Sequence, residues 1–172
     1  MPLSALLTHT PIWVYALLAL LIWLGAQRLR PRTTSIARVW AVPAIFIAWG
    51  LAGLFTHDGG AAAVLGHWFA GALIGVGLGA WSLSPASLSF DHRNGLVRQP
   101  GSVLPMLRML AIFLGHYVFQ AIAAASPQLR NGAMTNDIYV SGISAGFFIG
   151  WTIRFVLAQR RAPQTDLLAA AA

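Results

Sequence analysis

The residues best suited to chemistry form a polar stripe in an otherwise apolar stretch. His116 stands near the middle of an apolar run at about 103–125, with Tyr117 beside it, Gln120 one turn later and Arg108 two turns earlier. A polar stripe on one helix turns toward protein rather than lipid, because polar groups are costly in hydrocarbon. The plain reading of His116 is a neutral imidazole hydrogen-bonded to a neighbouring helix. The sharper reading is a metal or haem ligand or a proton-transfer group, since imidazole ligates metals and titrates near neutral pH. His67 is the second candidate, so a haem held between His67 and His116 is one alternative. His9, His57, His67 and Asp58 form another, a divalent-metal site of imidazole and carboxylate ligands on the outer side. No single helix carries two histidines at ligand spacing, so such a site would need convergence in space.

Gly142-Ile143-Ser144-Ala145-Gly146 matches the G-x-S-x-G pattern. That nucleophile elbow requires a strand-to-helix turn, whereas this segment lies inside an apolar run. An intramembrane hydrolase using Ser144 and His116 is the remaining enzymatic alternative. Gly75-x-Gly77-x-Gly79 is no phosphate loop, because no strand precedes it and no Lys follows. The four acids are all Asp: Asp58 and Asp137 fall at outer ends of apolar runs, and Asp91 and Asp166 on the cytoplasmic side. A carboxylate relay across the membrane is therefore not expected, and the leading expectation is a protein without enzymatic activity and without a cofactor.

The elements that must position these residues follow from composition. The chain has 172 residues, 58% hydrophobic and 9% charged, with mean hydropathy +0.70. Soluble domains carry charge on roughly a quarter of their residues, so a soluble enzyme is excluded. With no Cys, disulfide, thiolate-metal and iron-sulfur chemistry are excluded too. Crossing a hydrocarbon core takes about 20 apolar residues, and five runs qualify, at about 11–26, 37–56, 61–81, 103–125 and 137–158. The fold expected is an all-α membrane protein, one transmembrane helical domain over 1–161 with a cytoplasmic tail at 162–172. The first run covers only about 24 Å at 1.5 Å per residue. Either Thr10 caps a helix with Pro11 at its first position, or the helix starts near Leu3 and Pro11 kinks it; the kinked form is preferred.

The net charge of +7 arises from eleven Arg and no Lys. If the connections alternate sides, Arg28, Arg30, Arg32, Arg38, Arg93, Arg98, Arg108, Arg154, Arg160 and Arg161 fall inside and Arg130 alone outside. Positive residues are retained in the cytoplasm, which puts the N-terminus outside and the C-terminus inside. The basic excess reads as this retention signal, with attraction to anionic headgroups, and not as nucleic-acid binding. Arg108 and Arg154, one to two turns inside the boundary, are expected to snorkel. Trp13, Trp40, Trp68 and Trp81 suit an interfacial belt.

The cytoplasmic loop between the third and fourth helices contains a hairpin at about 88–99. Asn94-Gly95 signals a two-residue type I′ turn, which places Arg93 opposite Leu96 and Asp91 opposite Arg98. Gly71, Gly75 and Gly79 on the third helix, and Gly142, Gly146 and Gly150 on the fifth, recur every four residues. Small residues one turn apart let helix backbones approach closely in lipid. These two helices run in the same direction and are expected to pack together, or one zipper forms a homo-oligomer or membrane-protein contact.

On Thr8-His9-Thr10-Pro11-x-Trp13, Arg30-Pro31, and Phe90-Asp91 leading into Pro100-Gly101-Ser102-x-x-Pro105, the chain resembles a family of uncharacterised small multi-pass bacterial inner-membrane proteins. More distantly, its order of helices with a hairpin before the fourth is similar to CcdC-type proteins associated with cytochrome c biogenesis. The resemblance implies a fold and an inner-membrane location, and carries no activity or ligand. The function expected is a small polytopic membrane protein acting as an assembly or accessory subunit, or as a small-solute permeability element, with the bilayer as its surroundings.

Overall fold

A computed structural model describes residues 10–53 and 60–169. Helix α1 spans Ile12–Ala26, β1 Arg32–Ser35, α2 Ile36–Gly53 and α3 Ala61–Ser82; after a 3-10 turn come β2, Ser89–Asp91, and β3, Leu96–Gln99, then α4, Leu104–Ala125, and α5, Arg130–Arg161. The protein is mostly helical. Three stretches, Ala61–Ser82, Leu104–Ala125 and Pro127–Arg161, are long and apolar enough to cross a membrane, and Ile12–Ala26 and Ile36–Ala52 are apolar but shorter.

Helix α5 is the post of the bundle, since α2, α3 and α4 all pack on it while α1 leans on α4. The α3–α5 pair is the most intimate. A Cβ on Gly71 would lie 2.7 Å from the Tyr139 carbonyl oxygen, one on Gly75 2.7 Å from the Phe147 amide, and one on Gly79 2.8 Å from the Trp151 amide. From the other side, a Cβ on Gly142 would meet Trp68, one on Gly146 would lie 2.7 Å from the Ala72 Cα, and one on Gly150 would meet Val76. Partner numbers rise together along both helices, so the two run parallel. Bare backbone against bare backbone maximises dispersion contact where hydrophobic burial gives no gain.

Several expectations change. Pro11 is extended, at φ −58° and ψ 143°, and sits at the N-cap, so no kinked helix passes through it; a start near Leu3 lies outside the described residues. Helix α5 begins at Arg130, seven residues before the expected boundary. Its polar first turns resemble a loop, but the Thr135 hydroxyl donates to the Asn131 carbonyl and so is satisfied within the helix. Trp68 is no belt residue: it is 5% exposed and donates from Nε1 to the Gly50 carbonyl.

The hairpin exists, but with a third strand, in the order β1-β3-β2. Pro31 biases the residue before it away from helix, and Thr33 and Thr34 favour a pleated surface; the register pairs Thr34 with Val97. On the other edge Asp91 pairs with Leu96 and Ser89 with Arg98, correcting the expected Asp91–Arg98 pairing. The loop is four residues long, because only Gly95 has positive φ, at 62°, and a type I′ turn needs it at Asn94 as well. The sheet caps one end of the bundle, where Phe90 and Val97 pack on Phe155 and Ala158 of α5.

Freed from Arg98, the buried Asp91 carboxylate accepts from the Asn94 side chain at 2.8 Å, the Gln164 side chain at 2.9 Å, and the Asn94 and Leu167 amides. The tail at 162–169 is thus an ordered strap on the sheet, and Thr165 also donates to the Phe90 carbonyl. The bonds from Asn94 and then Gln164 hold the Asp91 carboxyl well below the usual carboxylate range, against the opposing effect of burial. A depressed folded pKa means the docking is fully present above the unfolded value of about 4 and is lost only as pH falls through the lower folded value. The strap is therefore expected to stay docked at pH 4, and Asp91→Ala to release it at neutral pH. Hydrogen exchange at the Leu167 amide checks this; equal protection in both proteins would refute it.

Candidate functional site

Between α1, α2, α4 and α5 lies a cleft of about 1020 Å³. Its walls are mainly apolar, with Val14 and Leu17 on α1, Ile45, Phe46 and Trp49 on α2, and Met109, Ile112 and Phe113 on α4. The α4 residues recur at three and four positions, the spacing of one helix face, and His116, Tyr117 and Gln120 continue it. Helix α1 leans on α4 and α2 on α5, so the mouth lies between α1 and α2. There Trp13, Ile45 and Trp49 are exposed. The Thr10 hydroxyl and the Tyr117 phenol share a hydrogen bond at one edge.

At the polar end, Asp137 of α5 is 3% exposed. His116 Nδ1 lies 2.6 Å from its Oδ1, and Gln120 Nε2 donates to its Oδ2 at 2.8 Å. With Nδ1–H given to the carboxylate, Nε2 is the free face of the imidazole. His116 keeps a third of its side-chain surface open and lines the cleft. Orientation of an imidazole by a carboxylate fixes its tautomer. The arrangement can therefore accept a hydrogen bond from a hydroxyl at Nε2.

Asp137 is the site residue missed in the sequence, placed there at an outer end. It stands two turns into α5, about 10 Å along the axis from Arg130. The signal was present: α4 and α5 are joined only by the short turn at Ser126–Leu129, and reflecting His116 across Ser126 and Pro127 lands on Asp137. In addition, Asp137, Ser141 and Ser144 follow the i, i+4, i+7 spacing of one face.

Of the other candidates, Ser144 lines this cleft and His67 does not. His67 stacks edge-on against Tyr139, with centroids 5.2 Å apart, on the α3 side of α5, while His116 is held from the α4 side. His9, His57 and Asp58 lie outside the described residues, and among the described residues no group of three or more His or Asp could hold a metal. Ser144 lines the same cleft as His116, but no hydrogen bond joins them among the described residues. Ser144 lies two turns along α5 from the carboxylate that holds the imidazole. Arg108 does not snorkel: its guanidinium lies over the rings of Phe147 and Phe148, 4.8 and 4.9 Å from their centroids.

A family model described as a family of unknown function, DUF6622, matches residues 1–165. No curated protein and no solved structure matches, and the more distant likeness to CcdC-type proteins gains no support from these comparisons.

Proposed function

Starting from the fact that the chain belongs to the DUF6622 family, whose function is unknown, we propose that it is a non-enzymatic membrane protein that binds a lipophilic small molecule sideways from the bilayer. The head of that molecule, a hydroxyl, sits on His116, and its apolar body fills the cleft. The observation that carries this reading is the buried Asp137 carboxylate orienting His116 at 2.6 Å at the edge of a large apolar cleft. Small-molecule sites are of this kind, mostly apolar with a few placed polar groups.

In the membrane, α1 to α5 cross five times with the N-terminus outside and the C-terminus in the cytoplasm, as the one-sided arginines favour. The expected setting is a bacterial inner membrane. The cleft then opens to the outer half of the bilayer. Its lining reaches only to Leu21, Ile45 and Met109, short of the sheet end, so a blind binding cleft and an accessory role are favoured over a path for solutes. The divalent-metal alternative draws on His9, His57 and Asp58, which lie outside the described residues.

The test uses the full chain in nanodiscs and two probes, a decyl-substituted benzoquinol and decylbenzene. The quinol is expected to raise the unfolding temperature saturably, as any ligand of the native state does. Its headless analogue is expected to bind at least about tenfold more weakly, which is the worth of one good hydrogen bond. Equal effects of the two probes, or none from either, would remove the reading.

A further inference from the structure

At the sheet end of the bundle, away from the cleft's polar end, the chain brings three arginines to one corner with no acid among the described residues there: the Arg28 carbonyl accepts from the Ser102 amide just before α4, and Arg32 pairs with Gln99, three residues earlier. Arg28 follows α1, Arg32 opens β1, and Arg108 stands in the second turn of α4. Arg108 is turned inward over Phe147 and Phe148. Arg28 itself is drawn below the ordinary arginine value by burial and then by the charge of Arg32. The Nε atoms of Arg32 and Arg108 are both buried and without a hydrogen-bond partner among the described residues. The Oγ1 atoms of Thr34 and Thr152 are in the same condition; Thr34 shares a sheet face with Arg32, two residues away, and Thr152 stands one turn beyond Phe148.

Nothing among the described residues answers this charge. Asp91 is held by Asn94 and Gln164, Asp137 by His116 and Gln120, and Asp166 by the Leu168 and Ala169 amides. A guanidinium does not escape by losing its proton, and a buried donor left without an acceptor is costly. Nε–H with one Nη–H forms the side-on fork that matches two oxygens of an oxyanion.

We infer that Arg28, Arg32 and Arg108 form a binding site for a phosphate group, with the Nε–H groups of Arg32 and Arg108 as its forks. A phosphate bridging two forks beside a third arginine supplies both the missing charge and the missing acceptors. Two sources share this chemistry, the headgroup of an anionic phospholipid and free phosphate.

Two arms distinguish them, both with the full chain. In the first, nanodiscs of phosphatidylcholine carry a minor fraction of phosphatidylglycerol, and native mass spectrometry counts retained lipid. In the second, inorganic phosphate is titrated into detergent-solubilised protein and the thermal shift is followed, with chloride as the ionic-strength control. Retained phosphatidylglycerol that phosphate does not displace identifies the lipid source, and a saturable phosphate shift identifies the free anion. In either arm Arg32→Gln and Arg108→Gln are expected to weaken binding tenfold or more, while Arg98→Gln, which removes an exposed charge from the same sheet, changes it less than twofold. If Arg108→Gln fails to fold, Arg32→Gln and Arg108→Lys decide, the latter keeping the charge and losing the fork. Equal losses from Arg32→Gln and Arg98→Gln would show diffuse surface charge and overturn the site, as would the absence of saturable binding in both arms.

Discussion

Alanine at Gly75 is expected to unfold the bundle at markedly lower temperature, while alanine at Gly77, on the same helix, leaves stability nearly unchanged. A Cβ on Gly75 would lie 2.7 Å from the Phe147 amide and overlap the Ile143 carbonyl, both backbone atoms that cannot swing aside. One on Gly77 would meet nothing within 4 Å. Overpacking of this kind costs about 1–3 kcal/mol per site, and the lost dispersion along the separated helices adds to it. Gly146→Ala is expected to behave like Gly75→Ala, because its Cβ would lie 2.7 Å from the Ala72 Cα. The double variant should cost less than the sum, since either substitution alone already forces α3 from α5. Reversible unfolding in mixed micelles, followed by near-UV circular dichroism, measures all four proteins. Gly75→Ala and Gly77→Ala unfolding together would mean that the close approach of α3 and α5 contributes little.

The legible and illegible parts of this fold differ in the range of the interactions that make them. Helix positions follow from apolar runs, and the strand turn from Asn94-Gly95, because hydropathy and turn preference act over a few residues. Strand β1 escaped notice because Arg32–Ser35 is short and polar and is specified by pairing with residues more than sixty positions away. The tail failed for the same reason: Gln164 has no local pattern, and only the fold shows that it bonds to Asp91. Arg108 was misplaced by a rule about average behaviour at interfaces, whereas two phenylalanine rings from α5 determine where its side chain goes. The candidate site was half visible. His116 and Gln120 declared themselves as a polar stripe, but their partner was assigned by its polar sequence neighbours when the geometry of an antiparallel helix pair placed it opposite the stripe.

Asp137→Ala is expected to be the most damaging single change at the cleft. It leaves the His116 Nδ1–H and the Gln120 amide without their acceptor, and each buried donor left unsatisfied costs about 1–3 kcal/mol. Asp137→Asn is isosteric but offers one acceptor to two donors and sets its own NH₂ against the other, so it should fold with a loss of about 1–3 kcal/mol and bind the quinol at least tenfold more weakly. A purely structural clip and a ligand site both predict these losses, and the double variant His116→Leu/Asp137→Leu separates them. Replacing a buried polar pair by apolar residues of similar volume is often neutral or stabilising, so the double variant should recover most of the stability lost in Asp137→Ala. The imidazole that receives the ligand head is gone, however, so quinol and decylbenzene should then bind alike. Recovery of stability with discrimination between the two probes intact would place the head elsewhere in the cleft, and His116 and Asp137 would be a clip between α4 and α5 and nothing more.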